Sequence, residues 1–196
     1  MLKFLLSIAV VFAQPWEQNV PMDFCVDDRF PVCTMLMSHA FDHVRSCIVN
    51  NLNPKNIMVP RMTTNCSGIN NFVSLDNYET FGSTTKTVVD GLITNTHIKI
   101  NPYVLNSASL FYSVFLHELG HVVGLGHTQN RHAVMGLVLE NGFKNEISTV
   151  LPYYRFHVHD IFELGQTYFS WYGYFISENC STSSPANTIP WYSAVL

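Results

Sequence analysis

Between Cys33 and Leu52, the apolar positions Met35, Leu36, Ala40, Phe41, Val44 and Ile48 recur at spacings of three and four. That period predicts a helix, and Asn53-Pro54 ends it, because the residue before a proline is pushed out of the helical region. Val20 to Val26 reads as a first strand closed by Pro31, and Asn56 to Met62 and Asn71 to Leu75 as short strands. Thr84 to Val89 and Ile93 to Ile100 are rich in Thr, Val and Ile and flank Asp90-Gly91, a hairpin signal. A second helix is expected from Ser107 to Val123, with Ser107 or Ser109 as N-cap and with Gly124 and Gly126 ending it. An irregular stretch then runs to about Arg155, and a last helix covers His159 to Phe169. Strand, helix, several strands, helix, loop, helix: the order predicts an α+β domain with one sheet.

Composition narrows what such a domain can do. The chain has 196 residues, enough for one domain with a sizeable core. Its formal net charge is −4 and its charged fraction 12%, so the basic footprint of nucleic-acid binding is absent. At the N-terminus, Lys3, the apolar run Phe4 to Phe12 and the small residue Ala13 fit a signal peptide (residues 1–13) cleaved before Gln14. The run is shorter than the ~20 residues a membrane span needs, and no later segment qualifies. The expected product is a secreted, soluble monomer with its domain over residues 14–176. Residues 177–196, rich in Ser, Thr, Asn and Pro, form a tail.

All five cysteines lie after the cleavage site, in a compartment where disulfides persist. Five is odd, so at least one thiol is free or paired outside the chain, and the connectivity stays open. Asn65-Cys66-Ser67 and Asn179-Cys180-Ser181 are sequons for N-glycosylation.

The candidate chemistry lies in His117-Glu118-Leu119-Gly120-His121-Val122-Val123-Gly124-Leu125-Gly126-His127. Residues i and i+4 of a helix share a face, so His117 and His121 can reach one ion. Gly124 can take the left-handed conformation that breaks the helix and lets His127 approach the metal from the other side. Three neutral imidazoles leave one tetrahedral position open, the pattern of catalytic rather than structural zinc. Glu118, beside the first ligand, is the candidate general base for a water whose pKa the metal lowers.

This segment resembles the zinc signature of the metzincin metallopeptidases. Thr128 after the third histidine is similar to the matrixins (matrix metalloproteinases). His132-Ala133-Val134-Met135 resembles their Met-turn, which makes Met135 an apolar floor beneath the zinc. His159-Asp160-Ile161 resembles the start of their C-terminal helix, which makes Asp160 the support of the Met-turn. The resemblance implies a metzincin-like zincin fold: a twisted mixed sheet, a backing helix, an active-site helix and a C-terminal helix. It also implies a zinc endopeptidase that binds protein or peptide substrates as an added antiparallel strand along an edge near Gly82, Ser83 and Thr84. Gly136 and Leu137 would line the pocket beside the zinc.

Several departures accompany the likeness. Gly136-Leu137 stands where matrixins carry Tyr-Pro, and His159 replaces the first Asp of their pair. No cysteine-switch motif precedes the first strand, and neither a folded pro-domain nor a hemopexin-like domain is expected. The residues matrixins use for structural zinc and calcium are mostly missing, with His97 alone near one such position, so calcium has no support. The alternatives are a metzincin of another branch and a catalytically silent zinc-binding or decoy module. Elsewhere, His39 and His43 share a helical face and are expected to be solvated. His157 and His159 are assigned no metal. The aromatic residues from Tyr168 to Phe175 are expected to pack rather than to bind.

Overall fold

Asp90 and Gly91 turn the chain with φ of 51° and 82°, and both values are positive, as the tight hairpin turn requires. The turn joins β4 (Gly82–Val89) to β5 (Leu92–Ile100), which pair antiparallel with a register shift between Thr87 and Val88. Because of that shift, the buried positions of β5 run Ile93, then Thr96, Ile98 and Ile100. β1 (Asp23–Val26), β2 (Arg61–Thr63) and β3 (Asn71–Leu75) are added in parallel, and the sheet order is β2-β1-β3-β5-β4. This computed structural model describes residues 16, 22–27, 29–30, 33–49, 60–63, 65–77, 80–130, 132–136 and 155–172, without the side chains of 48, 49 and 168–172.

Buried Asn71 stitches the middle of the sheet. Its amide donates to the carbonyl of Asp23 at 3.1 Å, and its Oδ1 accepts the N–H of Thr96 at 2.9 Å. A polar side chain is tolerated there because both of its ends are bonded.

Three helices pack on this frame. α1 (Thr34–Val49) buries Leu36, Met37, Ala40, Phe41 and Val44. α2 (Ala108–Val122) starts at Ser107, whose hydroxyl accepts the N–H of Leu110 at 3.3 Å. Nearly every residue of α2 from Leu110 onward is buried, as expected of a helix covered on all sides. Phe41 links the layers: its ring lies 5.4 Å from Phe24 on β1 and 5.6 Å from Phe115 on α2. α3 (Val158–Tyr172) is the last element among the described residues. Trp16 bridges to Ile93 in parallel and is buried.

The expected α+β class, mixed sheet and helix order are present. Within the expected strands Val20 to Val26 and Asn56 to Met62, β1 covers Asp23–Val26 and β2 covers Arg61–Thr63, while residues 20–21 and 56–59 lie outside the described residues. Among the described residues, β1 and β2 pair in register from Asp23 opposite Arg61 to Cys25 opposite Thr63. A 3-10 turn, Pro102–Asn106, precedes α2 and was not expected from the sequence. Cys25 is bonded to Cys66, Cys47 is likewise disulfide-bonded, and Cys33 is free and buried. Among the described residues, no helix is long and apolar enough to cross a membrane. The proposed signal peptide (residues 1–13), the tail (177–196), the sequon at Asn179 and Leu137 lie outside the described residues, as do the side chains of Tyr168 to Phe175.

Candidate metal centre and catalytic cleft

α2 carries His117 and His121 one turn apart and then stops in a Schellman-type cap. Gly124, at φ 99°, donates its N–H to the carbonyl of His121 at 3.1 Å, and Leu125 donates to Gly120 at 2.9 Å. The left-handed residue reverses the chain, and His127 comes back over the helix end. Nε2 of His127 lies 3.2 Å from Nε2 of His117 and 3.1 Å from Nε2 of His121.

The far side of each helical imidazole is held. Nδ1 of His117 lies 2.8 Å from the carbonyl of Val134, and Nδ1 of His121 lies 2.9 Å from the carbonyl of Leu125. A carbonyl can only accept, so each Nδ1 must carry the proton, and each Nε2 turns a lone pair toward the centre. Burial presses the pKa of His117 down to about 4 and that of His121 down to about 3, so both are neutral at physiological pH. Converging lone pairs on fixed, neutral rings repel one another unless a cation lies among them. This donor set therefore fits a divalent metal, and imidazole nitrogen is a preferred zinc ligand. Among the described residues, it is the single group of three or more metal-capable side chains whose ligand atoms converge, all within 4.8 Å.

Met135 is buried in a short 3-10 turn, Val134–Gly136, with its side chain against Gly120 of α2. A Cβ on Gly120 would overlap its Sδ, which explains a glycine in the interior of a helix. Asp160, in the first turn of α3, accepts the N–H groups of Val134 at 2.8 Å, Met135 at 3.1 Å and His157 at 2.9 Å. Burial raises the pKa of its carboxyl group, and the three N–H groups oppose that shift. Thr128 closes the turn from the other end: its N–H donates to the carbonyl of Met135 at 3.0 Å, and its hydroxyl lies 2.9 Å from Nε2 of His159.

Glu118 points to the sheet side of α2, where β4 forms the edge. Only 2% of Glu118 is exposed, and burial pushes its pKa up to about 7, against the hydroxyl of Thr84, which donates to Oε2 at 2.7 Å. A bound cation nearby would act in the opposite sense to burial. Gly82 lies beneath the other oxygen, and a Cβ there would come within 2.7 Å of Oε1. Ser83 faces away from Glu118, and its hydroxyl is buried without a hydrogen bond among the described residues.

Of the expected site residues, His117, His121 and His127 converge, Gly124 turns the chain at the helix end, Met135 packs on Gly120 with Gly136 in the same 3-10 turn, Asp160 bonds Val134 and Met135, and Glu118 faces β4. His43 corrects the sequence reading. It is buried rather than solvated, and its Nε2 accepts the N–H of Phe156 at 2.8 Å. One position and one contact were not expected from the sequence. Gly120 could have been noticed as a glycine inside a helix, where it needs a packing reason. The contact of Thr84 with Glu118 left no local trace, the two being 34 residues apart. His97 lies 2.7 Å from the hydroxyl of Ser74 and belongs to no converging group of three metal-capable side chains among the described residues.

A mixed sheet whose antiparallel edge strand borders a helix that carries a buried carboxylate and two imidazoles, with a third converging from just past its end, is the layout of a metallopeptidase. The Matrixin family profile matches residues 11–151, well over half of the chain, and the chain belongs to that family. A search of curated proteins found no match.

Proposed function

We propose that this protein is a secreted zinc endopeptidase that cleaves internal peptide bonds of extracellular proteins. The observation that carries the reading is the convergence of three imidazole Nε2 atoms at 3.1–3.2 Å, one residue along α2 from a buried carboxylate. His117, His121 and His127 would hold the ion. When bound, zinc supplies a water of lowered pKa and polarises the scissile carbonyl.

The chain's own residues do the rest. Glu118 takes the proton of the attacking water and passes it to the leaving nitrogen. Met135 forms the floor, and Asp160 holds that floor in place. Substrate lies antiparallel to β4, the outermost strand among the described residues, with Gly82 to Lys86 offering backbone hydrogen bonds and taking little account of sequence. Gly136 is the described residue that would border the pocket for the side chain just after the scissile bond, and the apolar sequence following it suits a bulky apolar residue there, worth about 1.5–3 kcal/mol if fully buried. The enzyme acts as a monomer comprising residues 14–176, released by removal of residues 1–13. Membership of the matrixin family and the Cys25–Cys66 disulfide support the extracellular assignment.

The test is digestion of casein and gelatin by the purified protein with and without a chelator, alongside Glu118→Ala. The wild type is expected to cleave, the chelated protein to stop and zinc to restore it. Glu118→Ala should bind one zinc per chain and cleave nothing. Zinc-loaded wild type that leaves both substrates intact would mean a silent zinc-binding module instead.

A further inference from the structure

Every second residue of β4 is turned toward α2. Gly82, Thr84 and Lys86 stand opposite Ile100, Ile98 and Thr96 of β5, and all three of those partners are buried on the helix side of the sheet. An edge strand whose only task is to pair with substrate needs its backbone, not these side chains. Two of the three positions nevertheless fit the carboxylate of Glu118. Gly82 makes room for Oε1, and the hydroxyl of Thr84 donates to Oε2 at 2.7 Å, the length of a charge-assisted bond.

From this geometry we infer that Thr84 is a positioning residue for hydrolysis, clamping Oε2 of Glu118 so that Oε1 is presented to the reacting water. The inference rests on the peptidase reading above. A glutamate has three side-chain torsions, and burial alone does not choose among them. Threonine suits the clamp because branching at Cβ restricts χ1 and fixes the direction of the hydroxyl. That hydroxyl has one proton to give. Its second acceptor, the backbone carbonyl of Glu118, is farther away at 3.2 Å, so the carboxylate holds the bond while charged. When Oε1 takes the proton of the water, the hydroxyl can turn to the carbonyl and back without either group moving. Oε1 accepts no hydrogen bond among the described residues, so it is the oxygen left for chemistry.

Thr84→Val removes the hydroxyl at nearly constant volume and suits a strand, and Thr84→Ser keeps the hydroxyl while losing the methyl group. Thr84→Val is expected to lower kcat about 10- to 100-fold, the loss that follows misalignment of a reacting group, with KM within about twofold. Thr84→Ser is expected to retain most of kcat, and both variants to bind zinc as the wild type does. A second readout needs no turnover: in zinc-free protein carrying 13C-labelled glutamate, the carboxyl resonance that vanishes in Glu118→Gln should shift in Thr84→Val and stay in place in Thr84→Ser. Undiminished kcat in Thr84→Val, equal losses in both variants, or an unmoved carboxyl resonance in Thr84→Val would overturn the clamp. Wild type that cleaves no peptide would overturn the peptidase reading instead, while the resonance would still report whether Thr84 holds the carboxylate.

Discussion

Asp160 accepts the backbone N–H of Val134 at 2.8 Å, and the carbonyl of that same Val134 takes the Nδ1–H of His117, also at 2.8 Å. One peptide residue thus carries the orientation of a metal-binding imidazole back to the first turn of α3. Supports of this kind fix the tautomer and angle of a ligand, and their loss typically weakens metal binding by about 10–100-fold.

Asp160→Asn should therefore lower zinc affinity by that order. An amide has one accepting oxygen where the carboxylate offers two, so the N–H groups of Val134, Met135 and His157 can no longer all be served. The loss should destabilise the protein by about 1.5–3 kcal/mol. Competition titration with a chromophoric chelator, together with thermal melting, measures both effects. Unchanged zinc affinity would separate Asp160 from the metal centre.

His43 makes stability depend on pH. Its pKa is lowered from 6.5 to about 4, first by burial and then by the charge of Arg155. The folded state thus binds fewer protons than the unfolded chain between those values, and ∂ΔG/∂pH is positive there. The contribution, about 3 kcal/mol at ~1.4 kcal/mol per pKa unit, is present above pH 6.5 and lost as pH falls toward 4. In metal-free protein His117 and His121 add slope of the same sign. His43→Gln, which can still accept the N–H of Phe156, should flatten the denaturant-measured pH dependence by about one proton's worth. An unaltered slope would show that His43 titrates normally.

Gly120→Ala should lower stability, although alanine is the better helix former by about 1 kcal/mol. The added methyl meets Sδ of Met135, which is itself buried, and overpacking of this kind costs about 1–3 kcal/mol. The melting temperature should fall, and zinc binding should weaken as Met135 is displaced beneath the ligands. A rise in melting temperature would mean that the methionine swings aside freely.

His127→Ala should reduce both zinc content and melting temperature, because binding energy adds to folding energy. The two remaining imidazoles keep their Nδ1 partners, so α2 itself should survive by circular dichroism. Full zinc occupancy in this variant would rule out the triad.

Activation by mercurials should fail. Cys25 is tied to Cys66 and the free thiol of Cys33 is buried, so neither is available to cap a metal in the cleft. Hydrolysis before and after treatment with an organomercurial should be the same, whereas a gain would point to a thiol that holds the enzyme latent.

What the sequence determined by itself is the part whose geometry is local. The i, i+4 spacing of His117 and His121, the left-handed Gly124 and the Asp90-Gly91 turn each depend on a few consecutive dihedral angles, and each is present. Spacing also carried Met135 and Asp160, through likeness to a family whose chain folds the same way. Only the tertiary structure decided which strands neighbour one another, that Cys25 pairs with Cys66, that His43 meets Phe156 across 113 residues, and that Thr84 reaches Glu118 across 34. Those contacts form because helices and sheet bury their apolar faces together, and the polar groups carried inside must then find partners wherever packing places them. A threonine in a strand looks the same in sequence whether it faces solvent or a buried carboxylate.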